Sequence, residues 1–85
     1  MEKITAPIDN AQKGLRLLKQ AILDLLAQKR DGLRNAEIAE LLDIRSDYQG
    51  GQKDYLSWSV LGLLLNEGKI IRTENKYFLA PNEQE

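Results

Sequence analysis

The chain has 85 residues and a formal net charge of −1, with no cysteine and no histidine. Its 42% hydrophobic and 29% charged residues are the balance of a globular protein, and the length suits one small domain. Because the chain offers no thiol and no imidazole, we expect no enzyme activity, no metal and no cofactor.

The ends of the chain and its apolar runs bear on location and domain boundaries. No run approaches the roughly 20 apolar residues of a membrane span, and the first ten residues lack the pattern of a secretory signal, so we expect a cytoplasmic protein. Residues 1–9 are predicted to be a flexible arm and residues 81–85 a disordered tail. Residues 10–80 form the single predicted domain between them.

The first helix is predicted from apolar periodicity. Asp9 or Asn10 is placed to cap it, and it ends near Gln28. Its apolar residues recur at steps of three and four: Leu15, Leu18, Ile22, Leu25 and Leu26.

A turn, a bridge and a short second helix follow. Gly32 suits a left-handed position after a helix end, and residues 33–34 are long enough only for a short bridge strand. Asn35 is expected to cap a second helix over residues 36–43. Beyond it, a polar loop of roughly eight residues with a glycine pair leads toward the third helix.

The third helix is predicted to begin between Gln52 and Asp54 and to end at Glu67, where Gly68 serves as the C-cap. One side of its wheel carries Ser57, Val60, Leu61, Leu64 and Leu65, and the other Tyr55, Ser59, Gly62 and Asn66. Trp58 is interpreted as a core residue rather than as a stacking platform for a base.

The last predicted element is a hairpin of residues 69–73 and 76–79, joined by a tight turn at Glu74 and Asn75. The resulting fold class is mostly α with a small β-hairpin (α+β). Its elements follow the order helix, short strand, helix, helix, strand, strand.

The passage from the third helix into the hairpin has a distinctive spacing. It runs Leu61-xx-Leu64-xxx-Gly68-x-Ile70-x-Arg72 and continues as Lys76-Tyr77-Phe78-Leu79. Over about residues 15–79 the chain thereby resembles a winged helix-turn-helix domain. Residues 53–58 are also similar to small winged-helix modules associated with restriction nucleases.

The resemblance implies a three-helix winged arrangement that binds duplex DNA, as a regulator of transcription or as part of a larger assembly. Residues 52–66 would be the recognition helix and residues 72–76 the wing. The candidate DNA-binding residues are Arg34, Asn35, Arg45, Ser46, Tyr48, Gln49, Gln52, Lys53, Tyr55, Ser59, Arg72 and Lys76. Arg72 and Lys76 are expected to face each other across the hairpin and to meet phosphates.

A second hypothesis keeps the fold but replaces DNA by protein. The near-neutral net charge lacks the strongly basic signature of nucleic-acid binders, and the exposed side of the third helix carries no arginine. Leu56 and Leu63 would then form an apolar spot that joins two copies or a protein partner.

Overall fold

The computed structural model describes residues 5–48 and 51–83 and has a mostly helical α+β fold. Both two-stranded sheets in this part of the chain are antiparallel hairpins, and the predicted α+β class is confirmed. None of the helices described here has the length and apolar character needed to cross a membrane. The elements are α1 (Thr5–Gln28), α2 (Asn35–Leu41), β1 (Ser46–Tyr48), β2 (Gly51–Lys53), α3 (Tyr55–Asn66), β3 (Ile70–Thr73), β4 (Lys76–Leu79) and a 3-10 turn (Pro81–Glu83).

Helix α1 begins earlier than the sequence indicated. It starts at Thr5, so residues 5–9 are helical and neither Asp9 nor Asn10 is the cap. Pro7 fits there because the first-turn amides of a helix have no intrahelical acceptor. Residues 6–14 are all exposed, which leaves the first half of α1 outside the core.

The two termini were predicted to lack structure. Residues 1–4 and 84–85 lie outside the described part of the chain. Of the predicted tail, Pro81–Glu83 form the 3-10 turn, in which the Glu83 amide donates to the Ala80 carbonyl at 2.9 Å.

The core lies where α1, α2, α3 and the β3–β4 hairpin meet. The apolar periodicity of α1 correctly predicted which residues face the core. Ile22 and Leu26 are almost fully buried, and Leu15, Leu18 and Leu25 are partly buried against the core cluster. The buried cluster consists of Ile22, Leu26, Leu33, Ile38, Val60, Leu61, Leu64, Ile70, Tyr77 and Leu79. A core of this size leaves little interior space for an enclosed active site.

Two glycines allow the sharp exits after α1 and α3. Gly32 has φ +86° and Gly68 has φ +73°, as expected for left-handed positions after helix ends. At the end of α3 the Gly68 amide donates to the Leu65 carbonyl and the Lys69 amide to the Leu64 carbonyl, which is the Schellman pattern. The predicted stop at Gly68 is confirmed, but α3 ends at Asn66, Glu67 is the C-cap and Gly68 is the residue that follows the cap.

The bridge at Leu33 attaches the turn after α1 to the second hairpin. Leu33 and Tyr77 exchange two backbone hydrogen bonds of 3.1 and 2.8 Å. In the hairpin itself, Glu74 and Asn75 both have positive φ, which matches the twist of the flanking strands. The predicted bridge at Leu33 and the tight turn are both confirmed.

The segment between α2 and α3 is not the plain loop that the sequence predicted. Strands β1 and β2 pair antiparallel, with Ser46 opposite Lys53 and Tyr48 opposite Gly51. Each strand has only three residues, too few for an alternating pattern to show in the sequence. The element order therefore contains an additional hairpin before α3.

Candidate nucleic-acid interface

Helix α3 presents one buried and one exposed side, as its wheel predicts. Ser57, Val60, Leu61 and Leu64 are buried, whereas Tyr55 is 64% exposed and Ser59 and Asn66 also face solvent. Residues four or seven positions apart lie on the same side of a helix with 3.6 residues per turn. Tyr55, Ser59 and Asn66 therefore form one continuous exposed strip.

Trp58 was predicted to lie in the core, and this is wrong. The residue is 60% exposed, although Val60 and Leu61, two and three positions further along α3, are buried. Residues two positions apart on a helix point in nearly opposite directions, so burial of Val60 does not extend to Trp58. The indole instead lies at the border between the exposed strip of α3 and the second hairpin.

An open groove of about 180 Å³ runs between α3 and the β3–β4 hairpin. Its lining residues come from both elements: Trp58, Ser59, Gly62, Leu65, Arg72 and Tyr77. Two of the predicted DNA-binding residues, Ser59 and Arg72, therefore share one surface. Trp58, Gly62, Leu65 and Tyr77 were not among the predicted site residues.

Arg72 is held over an aromatic ring within this groove. Its guanidinium carbon lies 5.7 Å from the centroid of the buried Tyr77 ring, within the range of a cation–π contact. A second contact joins Arg72 Nη2 to Asn75 Oδ1 at 3.3 Å. These contacts orient the cation while leaving the residue exposed to solvent.

The expected pairing of Arg72 with Lys76 is wrong by one residue. Arg72 lies opposite Tyr77, and Lys76 lies opposite Thr73, because a turn of two residues closes the hairpin. Successive residues of a strand point to opposite faces, so Lys76 belongs to the face away from Arg72. The two cations do not meet a ligand from the same face of the hairpin.

The start of α2 differs from the prediction. Arg34 rather than Asn35 is the N-cap, and the Glu37 carboxylate accepts a hydrogen bond from the Arg34 amide at 2.8 Å. Arg34 remains exposed and is still a candidate for contact with a phosphate.

Asn35 instead connects the starts of α2 and α3. Its Oδ1 accepts a hydrogen bond of 2.5 Å from the fully buried Ser57 hydroxyl, and its Nδ2 donates to the Asp54 carbonyl at 3.2 Å. This arrangement satisfies the buried hydroxyl and explains why a serine stands on the apolar side of α3. Asn35 therefore has a structural role, and the expected contact with DNA stays a prediction.

The network predicts coupled losses of stability. We expect Asn35→Ala and Ser57→Ala each to lower the free energy of unfolding by about 1 to 2 kcal/mol, since each breaks a partly buried hydrogen bond. The double variant should lose less than the two single losses together, by about 1 kcal/mol. Urea denaturation measures all three, with Ser59→Ala as the matched control because Ser59 is exposed on the same helix. Strictly additive losses would contradict direct coupling.

Arg45 was predicted to anchor a phosphate, and it has a partner within the protein. Its Nε lies 3.1 Å from Asp54 Oδ1, so the ion pair joins the residue before β1 to the N-cap of α3. Exposed ion pairs of this kind contribute little stability. Arg45 could contact a phosphate only if its ion pair with Asp54 were broken.

The remaining predicted residues lie on the first hairpin. Ser46 and Tyr48 belong to β1, and Gln52 and Lys53 to β2, so their backbones lie directly before α3. Gln49 lies outside the described residues.

An apolar flank borders the other side of the exposed strip. Leu56 and Leu63 are 47% and 40% exposed. They are seven positions apart in α3, which places them on the same side of the helix. That side is away from Trp58, so the apolar flank and the groove are distinct surfaces of α3.

Comparison of the chain with protein-family models, with curated proteins and with solved structures found no significant match.

Proposed function

We propose that the protein is a small winged-helix domain that binds duplex DNA, as a transcriptional regulator or as the DNA-recognition module of a larger assembly such as a restriction system. The observation that carries the proposal is the shared groove, because the exposed side of α3 and Arg72 of the second hairpin border one surface. In this arrangement α3 is the recognition helix and the β3–β4 hairpin is the wing.

The first turns of α3 would lie nearest the base edges in the major groove. Tyr55 and Ser59 are exposed there, and the backbone of Gln52 lies just ahead of them. Arg72 would neutralise a phosphate beside the groove, and Arg34, Lys53 and Lys76 are further candidate phosphate contacts. With so few cations, one copy would bind weakly, on the order of micromolar at physiological salt.

A salt titration tests this proposal. Fluorescence anisotropy of a labelled duplex is expected to show affinity that falls steeply as salt increases, because cations on the protein displace counterions from DNA. Arg72→Gln should weaken binding and reduce the salt slope by about one. Lys13→Gln is the matched control, since it removes the same charge from the exposed first half of α1. No binding even at low salt would overturn the proposal.

The apolar flank favours a second candidate function, a protein-interaction or dimerisation module. Leu56 and Leu63 expose apolar area on one side of α3, which is a feature of surfaces that bind protein. Sedimentation equilibrium would then give a mass that rises with concentration, and Leu56→Lys would return the protein to a monomer. A monomer at all concentrations would remove the case for a homodimer.

A further inference from the structure

The groove contains the only tryptophan of the chain, and that tryptophan is largely exposed. Burial of a large aromatic side chain is a major stabilising contribution in a small domain, and Trp58 contributes little of it in this position. Its indole borders the groove together with a cation, Arg72, and a hydroxyl, Ser59. A flat apolar face beside a positive charge suits a planar ligand that carries a negative charge.

Gly62 keeps the groove open. It lies in the interior of α3, where glycine is unfavourable relative to alanine. A Cβ atom at this position would meet no heavy atom within 4 Å, so no neighbouring side chain requires a glycine there. The absence of a side chain one turn after Trp58 leaves room beside the indole.

The size of the groove limits what can enter it. Its volume of about 180 Å³ is below the range of roughly 300 to 1,000 Å³ for sites that enclose a drug-sized ligand. A single flat ring fits this space better than a whole cofactor does. A ring attached to a phosphate would use both the indole face and the cation.

We propose that the groove binds one unpaired nucleobase, stacked on Trp58, with the adjoining phosphate on Arg72. The inference rests on the proposed DNA binding and specifies its preferred substrate, a duplex with an unpaired nucleotide at an end or a bulge. Stacking on an aromatic residue is tolerant of base identity, so the preference concerns unpaired structure rather than sequence.

The test compares two DNA hairpins with the same paired stem, one blunt and one with an overhang of four thymidines. A polyethylene glycol linker without nucleotides forms the loop of both, so that neither loop presents an unpaired base. Anisotropy of a label on the hairpin loop reports binding of either DNA. Emission of Trp58 reports entry of a base into the groove, because no other tryptophan contributes. We expect the overhang DNA to bind about tenfold more tightly and to quench the emission, and the blunt DNA to bind without quenching.

Substitutions at Gly62 test whether the groove causes the preference for the overhang DNA. Gly62→Leu would fill the groove with a good helix former and keep Trp58 as the fluorophore. It is expected to abolish the quenching and to give the overhang and blunt hairpins equal affinity. Gly62→Ala is the matched control and should keep the preference, because its Cβ meets no neighbour. Thermal melting by circular dichroism verifies that both variants are folded.

The outcomes distinguish the inference from the proposed function. Equal affinity for both hairpins without quenching would overturn the inference and leave duplex binding intact. No binding of either hairpin would overturn both. Quenching of Trp58 by an acidic peptide such as oligoglutamate, with none by the overhang DNA, would overturn the inference in favour of a protein ligand.

Discussion

Replacement of Gly32 by alanine is expected to lower the free energy of unfolding by about 3 kcal/mol, from two separate effects. The residue has φ +86°, where an L side chain is strained by roughly 1 to 2 kcal/mol. Its position is also buried, and a Cβ atom would lie 2.5 Å from Phe78 Cε2 and 2.6 Å from Cζ. The Phe78 ring would have to move out of its place against the turn.

Gly68 supplies the matched control for this prediction. It has φ +73° at the end of α3, but a Cβ atom there would meet nothing within 4 Å. Gly68→Ala should therefore cost about 1 kcal/mol, the backbone effect alone. Urea denaturation of the two variants measures the difference. Equal losses would mean that the Phe78 ring moves freely and that the turn does not depend on close packing.

The second large effect concerns the buried side of α3. We expect Leu61→Ala to lower the free energy of unfolding by about 3 to 4 kcal/mol, because a fully enclosed leucine leaves a cavity when it is truncated. A domain of this length has a total stability of roughly 4 to 13 kcal/mol, so the variant would lose a large part of it. The denaturation midpoint in urea should fall with little change in slope.

Leu63→Ala is the comparison on the same helix. Leu63 is two positions further along α3 and 40% exposed, so its truncation should change the free energy of unfolding by no more than about 1 kcal/mol. Similar losses for Leu61→Ala and Leu63→Ala would contradict the orientation of α3. If the apolar flank joins two copies, Leu63→Ala should in addition weaken the dimer.

Local signals in the sequence predicted much of the fold. Periodicity identified the buried residues of α1, and Gly68 marked the end of α3, because both depend on neighbours a few residues away. The turn at Glu74 and Asn75 was predictable for the same reason. The bridge at Leu33 was also predicted, although its partner Tyr77 lies far away along the chain.

Features that depend on distant partners were predicted less well. Asn35 was taken for a helix cap, but its partners are Ser57 of α3 and Asp54, the N-cap of that helix. Trp58 was placed in the core from its sequence neighbours, but it points away from Val60 and borders the second hairpin, where it is largely exposed. The β1–β2 hairpin was not predicted, because a strand of three residues is too short to show the alternation of apolar and polar residues.

The candidate site was predictable in part. The resemblance to a winged helix-turn-helix domain and the helical wheel of α3 selected Ser59 and Arg72, which the fold brings to one groove. They did not give the hairpin register, and a shift of one residue separates Lys76 from Arg72. The place of Gly62 in the groove could not be predicted from a single sequence, because it depends on which side chains surround the glycine in the fold.

The bridge at Leu33 makes the second hairpin asymmetric. Strand β4 has β3 on one side and the Leu33 backbone on the other at Tyr77, whereas β3 pairs only with β4 in the part of the chain that the structure describes. Among the described residues, the edge of this hairpin to which a peptide or another copy could add a strand is therefore β3. That edge is four residues long and includes Arg72, and short, charged edges resist unintended strand addition.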